Sequence, residues 1–186
     1  MTAYDFVHLT FLALEREING KTKLQKIVYF MGLKTGHEND LGYRPHYYGP
    51  YSDEVAAAVE RLKTLGFLDQ SVTALGAFDS RGFEVARYDY RLNNAGKQVA
   101  EAKTRKNTEE WDKLQHAAKA MEKLLVEDYM GLSIAAKTCF VLGASRSPAS
   151  VGDLAALAPK FGWSVTPDQI QAAAKLLADA ELVQFT

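Results

Sequence analysis

The sequence is poor in several things that would each have pointed to a particular class of protein. It holds a single cysteine, Cys139, in "KTCFVLG". One cysteine cannot close an internal disulfide, so the chain is expected in a reducing compartment. Cys139 has no histidine near it in sequence and sits among Phe140, Val141 and Leu142, which reads as a core thiol rather than a nucleophile. No apolar run reaches the ~18 residues of a membrane span. The start, "MTAYDFVHLT", lacks the basic residues and apolar core of a signal peptide. A cytoplasmic protein with no membrane partner is expected.

Charge of one sign is also missing. The formal net charge is −1 over 186 residues, with 24% charged and 47% hydrophobic residues. That is the composition of an ordinary globular protein, and it argues against a surface built throughout to hold nucleic acid. Catalytic constellations are missing as well. There is no phosphate-binding glycine loop and no nucleophile elbow. His8, His37, His46 and His116 show no metal-ligand spacing with one another or with Cys139. Glu101-Ala102-Lys103 matches a fragment of a nuclease signature but falls in a helical pattern. No catalytic residue, metal or cofactor is expected; the sequence argues for a binding protein.

What is present is a succession of short helical patterns and one β-rich interval. "AYDFVHLTFLALEREI" has the apolar density of a mostly buried helix, and Asn19-Gly20 stops it. Thr22 is placed to cap a second helix with Leu24, Ile27, Val28, Phe30 and Met31 inward. "YRPHYY" reads as extended before a Gly49-Pro50 turn. Ser52 then caps a third helix, with Asp53 and Glu54 in its first turn and Gly66 at its end. Residues 67–92 read as two strands joined by a turn near Gly76–Gly82. Asn93 or Asn94 caps a long helix reaching about Tyr129.

Three helices followed by a hairpin predict a winged helix-turn-helix. The expected fold is therefore mainly α with a small β-hairpin: a winged-helix domain over 1–93, a long connecting helix over 94–130, and a smaller helix-turn-helix-like unit over 131–186. Met130-Gly131 is the expected joint. In the last unit Thr166 and Pro167 open the final helix, and "ELVQFT" resembles the start of a wing strand.

Two candidate surfaces emerge. Tyr43, His46, Tyr47, Tyr48 and Tyr51, with Glu54, crowd around Gly49-Pro50. Such aromatics stack on bases or anchor a protein interface. The structural alternative is that they pack inward, with hydroxyls bound to the backbone, and that Gly49-Pro50 sets the entry angle of helix three. A mixed arrangement has Tyr48 inward and Tyr47 and Tyr51 outward. The second surface is basic: Lys21, Lys23, Lys26, Arg44, Arg81, Arg87 and Arg91 could reach phosphates. Against DNA reading, the third helix begins "SDEVAAAVERL"; its acidic tip repels phosphate, and alanine makes no bidentate base contact.

Lys23, Leu24, Gln25 and Lys26, followed by Tyr48, Gly49, Pro50 and Glu54, resemble the paired motifs of the SocA-like, or Panacea, antitoxin domain and of the related YwgA-like proteins. The resemblance covers roughly residues 5–70. "YGPYS" departs from the commoner Gly-Pro-Val pattern of the antitoxins and matches the YwgA-like branch better. The resemblance implies a small helical domain that binds another protein, such as a toxin. Two functions follow as expectations: a protein-binding module of the antitoxin or adaptor kind, or a winged-helix DNA-binding regulator. A homodimer is compatible with either.

Overall fold

The structure, a computed structural model, describes residues 1–78, 84–145 and 148–184. It is mainly helical with a small three-stranded antiparallel sheet. Helix α1 (Ala3–Leu14) starts at Thr2, whose side chain accepts from the Asp5 amide. Phe6, Val7, Leu9 and Phe11 are almost fully buried, as the apolar density requires. Strand β1 (Ile18–Asn19) follows, and helix α2 (Lys21–Thr35) begins at once. Its N-cap is Gly20, at φ 97°, and not Thr22. A glycine there lets the chain leave β1 in a conformation that a side chain resists.

Helix α3 (Asp53–Thr64) begins as the sequence predicts, with Ser52 Oγ accepting from the Val55 amide at 3.0 Å. Gly66, in the left-handed region, ends the turn beyond it. Strands β2 (Leu68–Phe78) and β3 (Glu84–Leu92) form the expected hairpin, running from Leu68↔Leu92 to Ala74↔Ala86 before the register shifts. The expected turn falls largely outside the described residues. The two-residue β1 pairs with the other edge of β3, through Ile18↔Tyr90 and Asn19↔Asp89. It was invisible in the sequence because two residues carry no periodicity.

The long connecting helix is not formed. Its interval divides into α4 (Asn94–Thr104), α5 (Thr108–Ala120) and α6 (Glu122–Leu125). Asn93 caps α4 as expected, its Oδ1 accepting from Gly96 at 2.9 Å. A straight helix over 94–130 would be about 55 Å long and would leave the core. Breaking at Arg105–Asn107 lets α4 pack on α1 and α5 on both α1 and α2. Leu114, Ala117 and Met121 thereby join the core.

The expected joint at Met130-Gly131 also gives way. Helix α7 (Tyr129–Ser145) runs through both residues. The chain turns instead before it, where Asp128 Oδ1 accepts from the Gly131 amide at 2.7 Å. Leu132, Ala135 and Ala136 of α7 are buried in the same apolar cluster as α1 and α2. Helix α8 (Val151–Leu157), a 3-10 turn (Ala158–Phe161) and helix α9 (Pro167–Asp179) complete the chain. Thr166 caps α9 in a reciprocal capping box with Gln169. A second cluster gathers Val141, Leu154, Ala158, Trp163 and Ile170. Residues 181–184 form no strand, so the wing-like reading of "ELVQFT" fails over the part described. No helix among the described residues is long and apolar enough to cross a membrane.

Candidate functional site

The two motifs meet in space. The Gln25 side-chain amide lies along the backbone of Ser52: its Nε2 donates to Ser52 O at 2.9 Å, and its Oε1 accepts from Ser52 N at 3.0 Å. An amide side chain matches a peptide group donor for acceptor, so glutamine completes this pairing where glutamate would not. Lys26 Nζ donates to Pro50 O at 2.7 Å. Tyr43 Oη donates to Gln25 O at 2.9 Å. Ser52 Oγ, besides capping α3, donates to Leu41 O. Gln25, Lys26 and Ser52 are all buried, at 4%, 1% and 0% exposure. The lysine-leucine-glutamine-lysine turn of α2 is thus a clasp on the segment that opens α3.

The clasp shapes residues 44–51 into a loop. Arg44 and Tyr51 pair as an antiparallel bridge, each amide donating to the other's carbonyl at 2.9 Å. The turn closes through Gly49 N to His46 O at 2.9 Å. Gly49 holds φ 96°, and a Cβ there would lie 3.3 Å from both Ser133 O and Lys137 Cγ. Glycine is required by conformation and by the approach of α7. Trp163 Nε1, from the C-terminal helices, donates to His46 O at 2.7 Å.

The loop sorts its aromatics. Tyr43 does not belong to an exposed surface; it is half-buried, its ring edge on Tyr29 at 4.9 Å, and burial holds its hydroxyl well above the usual tyrosine pKa. Tyr51 is half-buried, tilted against His46, and lines a groove of 260 Å³ with Leu24, Val59 and Tyr90. Tyr48 is not inward: it is 40% exposed and meets Tyr129 edge-on at 6.3 Å. Tyr47, at 76% exposure, stands edge-on to Tyr48 at 4.8 Å. Glu54 is exposed on the first turn of α3. Tyr129, at 50%, adds to this exposed surface through Tyr48; it and the exposed Met130 and Val126 were missed in the sequence. Only the mixture of apolar and acidic residues in "VEDYM" at the start of a helix could have signalled them.

The basic set is largely occupied. Lys26 is not available to phosphate; it lies in the core, and burial, then repulsion from Lys137, brings its pKa down to about 7. Lys23 Nζ donates to Glu127 O at 2.7 Å, and burial lowers its pKa. Arg44 pairs with Asp53, and Arg87 with Asp89 at 2.8 Å. The Lys21 ammonium lies 4.2 Å from the centre of the Tyr88 ring. Arg91 is exposed beside a groove of 560 Å³ whose charges are mixed: Arg16 and Lys97 against Glu15, Asp69 and Glu101. Arg81 lies outside the described residues.

Three other groups of chemical interest are structural. His8 is buried, its Nε2 2.9 Å from Gly96 O and its Nδ1 3.2 Å from Lys103 Nζ. Burial, then Lys103, brings its pKa down to about 4, so the ring is neutral and Nε2 carries the proton donated to Gly96 O. Lys103 of the Glu-x-Lys fragment is bound to Asp5 at 2.6 Å. The Cys139 thiol is pushed up to about 12 by burial and then by Glu38, which suppresses thiolate chemistry. Among the described residues no three His, Cys, Asp or Glu side chains come together as a metal site.

No known family model matches the chain. A curated relative is similar to part of it: an uncharacterized protein of Bacillus subtilis (strain 168), YwgA, is 35% identical over 80 residues. That stretch is 43% of this chain and 43% of the relative's length.

Proposed function

We propose that this chain is a protein-binding module whose contact surface is the Tyr47–Tyr48–Tyr129 cluster. The observation that carries the reading is the combination of exposure and rigidity. Tyr47 and Tyr48 are 76% and 40% exposed, yet the loop that bears them is fixed by Lys26, Gln25, Gly49 and Trp163. Large aromatics held in place lose little conformational entropy on binding, which is what interface anchors need.

The finer reading is an antitoxin or adaptor of the SocA-like kind. Its support is the pairing of Lys23–Lys26 with Tyr48–Pro50, the residues that carry the resemblance, and their direct contact in the clasp. We also propose a winged-helix arrangement for residues 1–93. Its support is the order α1, β1, α2, α3, β2, β3, with β1 between the first two helices and added to the edge of β3. A winged helix of this kind presents α3 outward, and here α3 opens on Asp53 and Glu54. Together with the occupied lysines and arginines, that favours protein over DNA as the partner.

The test is affinity purification of the full chain from its native cells, beside a DNA titration at two salt concentrations. The expected result is a defined protein partner that the Tyr47→Ala/Tyr48→Ala variant fails to hold, and DNA binding that stays non-specific. Binding to one DNA sequence about a thousandfold better than to random DNA, the discrimination of a true regulator, would refute the reading.

A further inference from the structure

Helix α7 runs along the inner side of the aromatic loop. Tyr129, Ser133 and Lys137 are spaced i, i+4, i+8 and therefore share one face. Each touches the loop: Tyr129 meets Tyr48, the Ser133 carbonyl faces Gly49, and the Lys137 stem lies against Gly49. Beyond Gly49 the Lys137 ammonium reaches the Trp163 ring, 5.9 Å from its centre. The loop thus has an aromatic end at Tyr48–Tyr129 and a cationic end at Lys137.

The cationic end is uncompensated. Lys26 lies beneath Gly49, and its Cε would be 3.4 Å from a Cβ at that position. The charge acting on Lys26 is the repulsion of Lys137, and burial alone acts on Lys137. Among the described residues neither lysine has a carboxylate partner, although half-buried Glu127 and exposed Asp128 precede α7. Asp128 caps α7, and Asp53, which follows the loop, holds Arg44. Lys26 is sealed in the core on Pro50 O, so Lys137 is the half-buried ammonium at which an incoming carboxylate gains a charge-assisted hydrogen bond.

We infer that the surface takes an extended acidic segment of the partner protein, with an aromatic anchor on Tyr48–Tyr129 and a carboxylate on Lys137. This rests on the protein-binding reading above and specifies the chemistry of the partner. The spacing follows from the helix. Eight residues at a rise of 1.5 Å separate the two ends by about 12 Å. An extended chain covers that distance in about four residues. The anchor and the acid therefore stand about four positions apart.

The experiment is an NMR titration of the full chain with acetyl-Ser-Phe-Gly-Ser-Gly-Asp-Ser-amide, with its Asp-to-Asn analogue, and with a short oligothymidylate. The reporter is the indole N–H of Trp163, held on His46 O; that of Trp111 is the internal control. The acidic peptide is expected to shift Trp163 and to bind about tenfold more tightly than the analogue, the scale of one charge-assisted bond. Lys137→Met should abolish that preference and Lys137→Arg should keep it. Equal affinity of the two peptides, a preference that survives Lys137→Met, no shift with either peptide, or a tighter oligothymidylate complex would each overturn the inference. Tyr48→Ala separates it from its premise. If that change weakens both peptides while the acid preference is absent, the aromatic surface stands and the carboxylate falls. If it weakens neither, both fall.

Discussion

Replacing Lys26 by Met probes the clasp most sharply, because it removes a charge and keeps the shape. Lys26 is 1% exposed and its pKa is brought down to about 7 from a model-peptide value near 10.5. A lysine whose folded pKa is depressed binds its proton less tightly in the folded chain than in the unfolded one. Its contribution to stability therefore rises with pH from the folded pKa to the unfolded one, between about 7 and 10.5. One unit of pKa corresponds to about 1.4 kcal/mol, so from pH 7 to pH 9 the wild type should gain about 2–3 kcal/mol from this group. Lys23 and Lys137, also lowered, add smaller slopes of the same sign. Lys26→Met removes the main slope. It also leaves Pro50 O without its donor, which costs about 1–3 kcal/mol at every pH. Urea unfolding at pH 7, 8 and 9 measures both effects: a wild-type midpoint that climbs, and a variant curve that is lower at pH 9 and nearly flat. A variant whose stability climbs as steeply as the wild type would refute the burial of a titrating Lys26.

Gln25→Ala should cost about 1–3 kcal/mol by chemical denaturation, because it strands the buried Ser52 amide, while Ser52 O keeps the Ala56 amide as donor. Gly49→Val should cost about 1–3 kcal/mol, since φ 96° and the 3.3 Å approach of Ser133 O both disfavour a branched side chain; an unchanged melting temperature would show that the loop is not held as described. His8 has a folded pKa of about 4, below its model-peptide value of 6.5, so its contribution is complete above pH 6.5 and is lost as pH falls toward 4. The loss is on the order of 3 kcal/mol. A His8→Gln chain should show a shallower acid limb in a pH series of melting curves.

The parts of the fold that the sequence made legible are those set by neighbouring residues. Ser52, Asn93 and Thr166 each cap the helix that follows by a hydrogen bond three residues long, so side-chain type alone locates them. The β2–β3 hairpin announces itself through alternation and an intervening breaker loop. What was not legible depends on distant partners. Lys26 looked like one of a basic row with Lys21 and Lys23, yet its acceptor is 24 residues away. A signal was present all the same. Ile27 to Met31 is a continuous apolar run, and a helical stretch apolar on every side is enclosed. A lysine adjoining that run belongs to the core.

The candidate site divides in the same way. Tyr47 and Tyr48 stand exposed beside the Gly49-Pro50 turn, but their neighbour Tyr129 comes from a helix 81 residues further along the chain than Tyr48. No local pattern joins them. Tyr43 turns inward because its hydroxyl donates to Gln25 O and its ring meets Tyr29, partners on α2 that no local pattern reveals. The break of the long helix was hidden for a different reason. "TRKNTEE" contains good helix formers, and only the packing of α5 against α1 and α2 makes the turn at Asn107 worthwhile.

The measurement that bears most directly on the central claim is the dissociation constant of the purified protein partner for the wild type and for the Tyr47→Ala/Tyr48→Ala chain, with thermal unfolding of both as the control for folding. Buried aromatic anchors are worth about 2 kcal/mol or more each, so the double substitution should weaken binding by at least about a hundredfold while leaving the melting temperature nearly unchanged. A partner bound equally well by both chains would contradict the assignment of this surface.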